Sequence, residues 1–142
     1  MRGMGKLDGH CMCGSITYSC DAEPVATAVC HCTECQRQTG TAFSLVVVVP
    51  RDALRVEGDT LSTYTTVGDD SGQEVARQFC GACGSPIVSL PDAMPQMAIV
   101  KAGTLDDRSW LEPQVHVWCD SAQPWVPLDA HEGMKVPRSV PG

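Results

Sequence analysis

Three cysteines and a histidine fall within six residues at positions 30–35, "CHCTEC". Thiols this dense have no use in an ordinary core, but they suit a metal ion. A tetrahedral zinc with Zn–S bonds of about 2.3 Å needs neighbouring sulfurs roughly 3.8 Å apart. Two more clusters follow the same logic, "CMC" (Cys11, Cys13) and "CGAC" (Cys80, Cys83). In extended chain, residues two apart face one side, so a C-x-C pair presents both sulfurs to one ion. A C-x-x-C pair does so through a tight turn. There Gly81 and Gly84 are expected to supply the unusual backbone angles that aim amides at sulfur.

The clusters hold seven thiols, one short of two complete tetrahedral sites. They divide naturally as four and three. Cys11 and Cys13 with Cys80 and Cys83 make a closed, structural site tying the start of the chain to its middle. Cys30, Cys32 and Cys35 make a site with one position open, and an open position is where chemistry happens. By spacing alone, Cys11 and Cys13 can instead join the second cluster.

An ion held by three thiolates is a weaker Lewis acid than one held by three neutral histidines, so making hydroxide at neutral pH is harder. Its soft surroundings suit a fourth sulfur. A thiol entering there loses its proton below the roughly 8.5 of a free thiol. The favoured chemistry is making or breaking a carbon–sulfur bond, as when a small thiol adds to an aldehyde.

Residues outside the clusters carry weaker signals. His31 lies between two ligands and is expected to point away from them, beside the site or at the surface; His116 reads as a hydrogen-bonded strand histidine. These two and a carboxylate of the tail are the candidate bases, and the sequence distinguishes none of them. Cys119 and Cys20 read as structural, and Trp110, Trp118 and Trp125 as core or pocket wall. "GTLDD" (103–107) reads as a turn in which Asp106 can cap or orient a neighbour. An anionic thiol needs a cation to receive it; Arg37, just after the last cysteine of the open site, is the first candidate and Arg77 the second.

The elements that must position these groups are short strands. "SITYSC" (15–20), "ATAVC" (26–30), "FSLVVVV" (43–49), "TLSTYTTV" (60–67), "EVARQFC" (74–80), "PIVSL" (86–90), "MAIVKAG" (97–103) and "QVHVWC" (114–119) are rich in Val, Ile, Thr and Tyr. Turn signals at 21–24, 68–72 and 90–95 separate several of them. "TECQRQTG" (33–40) makes at most a turn or short helix, and the proline-spaced tail after Trp125 reads as an extended wrap or frayed end. The expectation is one all-β domain of 142 residues.

Formal net charge is −7. Metal thiolates add to it, about −2 for a four-thiolate zinc and about −1 for a three-thiolate one. Basic residues stand singly, so binding to a nucleic-acid backbone is disfavoured. The longest apolar run, "LVVVV" (45–49), is strand-sized, which argues against a membrane span. With no apolar leader and nine cysteines, an odd number, a cytoplasmic metal protein is expected rather than a disulfide scaffold.

"GHCMCGSITYSC", "CHCTECQRQTG", "FCGACGSPI", "AGTLDD" and "HVWCDSAQPW", in this order, resemble the glutathione-dependent formaldehyde-activating enzyme family, which includes centromere protein V. The resemblance covers about residues 9–126 and leaves 127–142 as a C-terminal tail. It implies a β-tent fold of antiparallel strands and two zinc ions per chain. It assigns Cys11, Cys13, Cys80 and Cys83 to the structural zinc and Cys30, Cys32 and Cys35 to the catalytic one. It implies a carbon–sulfur lyase-type activity, with glutathione as the thiol and formaldehyde as the carbon partner. Two rivals stand beside it. One is a non-catalytic binding module whose second zinc is closed by Cys119, a histidine or a partner's side chain. The other is a thiol redox protein, weakened because both C-x-x-C pairs belong to larger clusters.

Overall fold

The computed structural model describes residues 7–68, 72–128 and 134–136. Among these the chain is all-β with one helix. Strands β1 (Leu7–His10), β2 (Thr17–Cys20) and β5 (Leu54–Glu57) form a three-stranded sheet in the order β1-β2-β5. The second sheet has eight strands: β3 (Ala26–Cys30), β4 (Ser44–Pro50), β6 (Leu61–Val67), β7 (Glu74–Cys80), β8 (Pro86–Pro91), β9 (Met97–Lys101), β10 (Val115–Val117) and β11 (Met134–Val136). Its order is β11-β10-β3-β4-β9-β8-β7-β6. Helix α1 (Thr33–Thr39) follows β3 directly.

The pairing departs from an all-antiparallel tent at one edge, where β10 runs parallel to both β3 and β11. β11 lies in the expected tail; residues 129–133 and 137–142 of that tail, and 69–71 of the turn at 68–72, lie outside the described residues. Strands β1 and β5 are additions to the sequence reading. "LDGH" has no β-branched residue and becomes a strand by pairing with β2, helped by a bridge from Gly9 to Leu105. The run 114–119 is trimmed to three strand residues because Trp118 turns to φ 60, a conformation rare for a bulky side chain.

The main core lies between the sheets. Leu7, Ile16, Tyr18 and Cys20 meet Val47, Val49, Val88, Ala98 and Val100 of the large sheet. Strand register makes this possible: Val47 stands opposite Val100, which stands opposite Val88, so the three share one face. Trp110 packs against this core, whereas Trp125 is 71% exposed and walls nothing in it.

Gly9 shows how tightly the sheets close. A Cβ there would lie within 2.5 Å of the Thr104 carbonyl oxygen and closer still to the Tyr18 ring. Tyr18 is fixed by a 2.7 Å hydrogen bond between its hydroxyl and Thr104 Oγ1, so the ring has little freedom to retreat. Gly9→Ala is expected to cost about 2 kcal/mol or more, as overpacking does, and to lower the denaturant midpoint measurably. An unchanged midpoint would show that β1 moves freely.

Candidate metal centres

The structure brings Cys11, Cys13, Cys80 and Cys83 together, with their sulfurs all within 4.8 Å of one another. Cys11 and Cys13 are 3.6 Å apart, and Cys13 and Cys80 3.8 Å, the spacing of a tetrahedral sulfur site. The donor set fits one ion with four ligands. Polar groups surround it: Ser15 Oγ lies 3.1 Å from Cys13 Sγ and 3.3 Å from Cys80 Sγ, and Thr60 Oγ1 lies 3.3 Å from Cys80. Ser85 Oγ is 3.2 Å from Cys83, and the backbone amides of Ile16 and Cys83 donate to Cys11 and Cys80. Bonds from Ser15 and Thr60 pull the Cys80 thiol down to about 5, and Ser85 pulls Cys83 to about 7. Both favour the thiolate that a metal requires.

The two turn glycines act differently from one another. Gly84 has φ +86, as expected. Gly81 has no positive φ; a Cβ there would come 2.6 Å from Ser62 Oγ and 3.1 Å from the Thr60 carbonyl oxygen, which accepts the Gly81 amide at 2.7 Å.

Cys30, Cys32 and Cys35 form the second group, again with sulfurs within 4.8 Å of one another. Cys30 ends β3, and Cys32 caps α1 by accepting the Cys35 amide at 3.2 Å. One helical turn then returns Cys35 to the same place. No fourth His, Cys, Asp or Glu among the described residues joins the trio. The four-plus-three division is therefore the geometric one, and Cys11 and Cys13 lie with Cys80 and Cys83. The trio fits an ion with three protein ligands. Sulfur contacts from Cys30 and Cys32 pull Cys35 well below the ordinary thiol value, with Lys101 and Arg77 adding positive charge. Cys30 is pushed up by its two sulfur neighbours and by burial.

The described histidines lie elsewhere. His116 stands opposite Val29 in the parallel β3–β10 pair, so it faces away from Cys30. His31 and His116 are both buried, with His31 Nε2 and His116 Nδ1 3.0 Å apart and the rings stacked. Burial first, and then His116, hold His31 below its ordinary imidazole range. His31 is thus an interior residue rather than a surface one, outside both sulfur groups. Cys119 Sγ donates to His116 O at 3.6 Å and also belongs to neither group. Asp106 binds His10 Nδ1 at 2.6 Å on the exposed side of the molecule.

Arg37 and Arg77 line one cleft of about 500 Å³ with Glu34, Gln38, Tyr64 and Phe79. Arg77 is held there by Thr66 Oγ1 and Gln38 Oε1, both at 2.9 Å, while Arg37 is exposed. Glu34, Arg37 and Gln38 belong to α1, the helix that carries Cys35, although no cysteine of the trio lines the cleft.

Sequence reasoning missed Lys101 and Ser89. Ser44 stands opposite Cys30, Val46 opposite Lys101, Ile99 opposite Ser89, and Ser89 opposite Arg77. Alternation along each strand puts Cys30, Ser44, Lys101, Ser89 and Arg77 on one face of the large sheet, opposite the main core. Lys101 is only 5% exposed, and its Nζ donates to Ser44 Oγ at 3.0 Å. Burial pushes its ammonium below the ordinary lysine value, opposed most by Cys35. The available signal was a lysine closing the apolar run "MAIV" on what proves a central strand.

Comparison with known proteins identifies the family. The family model described as glutathione-dependent formaldehyde-activating enzyme matches residues 6–121. A relative from Penicillium rubens is 28% identical over 113 residues, covering 78% of this chain and 58% of its own. One from Talaromyces marneffei is 28% identical over 120 residues, covering 82% and 63% respectively. Both are provisionally named glutathione-dependent formaldehyde-activating enzymes, and the present chain spans less than two thirds of either. A crystal structure of a Rhodobacter sphaeroides protein shares the fold with a TM-score of 0.58 at 18% identity, covering 91% of this chain and 99% of that one. On the family match and the cysteine geometry together, this chain belongs to the glutathione-dependent formaldehyde-activating enzyme family.

Proposed function

We propose that the protein is a carbon–sulfur lyase-type enzyme that joins or separates a small thiol and a carbonyl carbon at Cys30, Cys32 and Cys35, with glutathione and formaldehyde as the substrate pair. The observation that carries this reading is the three-sulfur group with no fourth protein donor among the described residues. Zinc is the ion that a tetrahedral thiolate set favours at both sites, two per chain. When bound at the trio, it supplies a position where an incoming thiol is held deprotonated. The reaction needs no redox partner: a C–S bond forms, the carbonyl π pair moves to oxygen, and the thiol proton ends on that oxygen.

The chain's own residues then bind and orient. Cys30 and Cys35 are buried, which limits water at the reacting atoms, while Cys32 remains partly open. Glutathione carries two carboxylates and an ammonium group. Arg37 and Arg77 suit the carboxylates, and Glu34, in the same cleft, suits the ammonium. All nine cysteines are unbridged, which fits work in the reducing cytoplasm. No helix among the described residues is long and apolar enough to cross a membrane.

The test follows the exchange between free glutathione and its formaldehyde adduct by NMR. Zinc-loaded protein is expected to speed the exchange over buffer. Arg77→Ala should raise KM for glutathione about tenfold with little change in kcat, because the lost contact is remote from the reacting carbon. Exchange at the buffer rate, for both formation and breakdown, would overturn the reading.

A further inference from the structure

We propose that Lys101 is a positioning charge for the three-thiolate centre, the group that allows it to take a fourth, anionic sulfur. The inference rests on the open-site reading above and names the residue that makes the open position usable. Three thiolates around a divalent ion sum to a site charge of about −1. A thiolate arriving as fourth ligand takes that to about −2 in a buried place, where uncompensated charge is costly. The four-cysteine centre meets this problem with hydroxyls on its sulfurs, from Ser15, Thr60 and Ser85. Among the described residues the trio shows no such ring of hydroxyls. It has instead a buried ammonium on its own sheet face.

The placement is specific. Ser44 is the cross-strand neighbour of Cys30, and its hydroxyl accepts from Lys101 Nζ, so one hydrogen bond ties the ammonium to the strand beside the ligand. Burial works against the Lys101 ammonium and so does Arg77 on the same sheet face, while Cys35, Cys30 and Cys32 work in its favour. Among the described residues no carboxylate forms an ion pair with it. A lysine on the central strand of a sheet, 5% exposed, is an expensive residue to keep unless a negative partner lies within reach. Ser89 adds an independent sign that this face receives a ligand. It is diagonal to Lys101, buried, and its Oγ has no hydrogen-bond partner among the described residues.

Charge gives the proposal a signature that packing alone lacks. A neighbouring cation favours an anionic ligand and is indifferent to a neutral one. The test uses the full-length protein with cobalt(II) in place of the ion at the trio, whose sulfur charge-transfer band reports what enters. 2-Mercaptoethanol, which has no carboxylate for the arginines, is titrated as the anionic ligand and imidazole as the neutral one. Lys101→Met, similar in length and apolar, is expected to weaken thiol binding at least about tenfold and imidazole binding less than about twofold. Ser44→Ala keeps the charge but frees its position, and is expected to weaken thiol binding about threefold, again without effect on imidazole.

Thiol affinity unchanged in Lys101→Met, or thiol and imidazole weakened in parallel, would overturn the role of Lys101 while leaving the open site standing. Should Lys101→Met fail to fold, an unchanged thiol affinity in Ser44→Ala would overturn it equally. Failure of the wild-type protein to respond to any thiol removes the open-site reading and this proposal with it.

Discussion

Replacing Cys80 by serine is expected to weaken the fold severely. Cys80 is fully buried at the end of β7, and its sulfur group joins it to Cys11 and Cys13, nearly seventy residues earlier in the chain. Cys11 follows β1 of the small sheet and Cys80 ends β7 of the large one, so an ion held by the four sulfurs would pin one sheet to the other. Structural zinc binding is worth about 10–16 kcal/mol in small zinc modules, and that energy is folding energy. If one lost ligand forfeits about 5 kcal/mol of it, the melting temperature of a domain this size falls by roughly 10–20 °C. Thermal melts followed by circular dichroism decide the matter. A variant melting within a few degrees of the wild type would mean that the four-cysteine group does not hold the sheets together.

Cys32→Ser is expected to do the opposite: keep the fold and lose the activity. The three sulfurs come from one short segment, so no distant elements part when their ion leaves. Cys32 also caps α1 through its side chain, and serine is among the residues that do this best. The cost to stability should stay below about 1 kcal/mol, a shift of no more than about 4 °C. Glutathione–formaldehyde exchange should fall by more than the ~10–100-fold typical of changes one shell further from a metal. A melt as poor as that of Cys80→Ser would make the trio a structural site and leave the enzyme reading without its centre.

The contrast between these variants was legible in the sequence because it rests on spacing. C-x-C and C-x-x-C pairs fix which sulfurs can share an ion locally, and seven thiols cannot close two sites. The β-rich runs were legible for a similar reason, since Val, Ile and Thr alternation is local. Strands β1 and β5 were not, because "LDGH" and "LRVE" become strands through their partners rather than their composition. The His31–His116 pair depends on β10 lying parallel to β3, a pairing across 85 residues that no local pattern announces. Lys101 is the clearest such case. Its place beside the sulfur trio emerges from two successive cross-strand registers, β3 with β4 and β4 with β9. The opposite lesson comes from Gly81, where a turn was read as needing special backbone angles and the need is instead for space against Ser62.

Counting zinc per chain during chelation tests the central claim most directly. Four sulfurs supported by hydroxyls and amides should hold their ion until the protein unfolds, whereas three with an open position should exchange first. The account predicts two zinc ions in the purified protein, falling to one in chelator with circular dichroism unchanged, and returning to two with activity on adding zinc back. A single ion at the outset, or two that leave together only as the fold is lost, would contradict it.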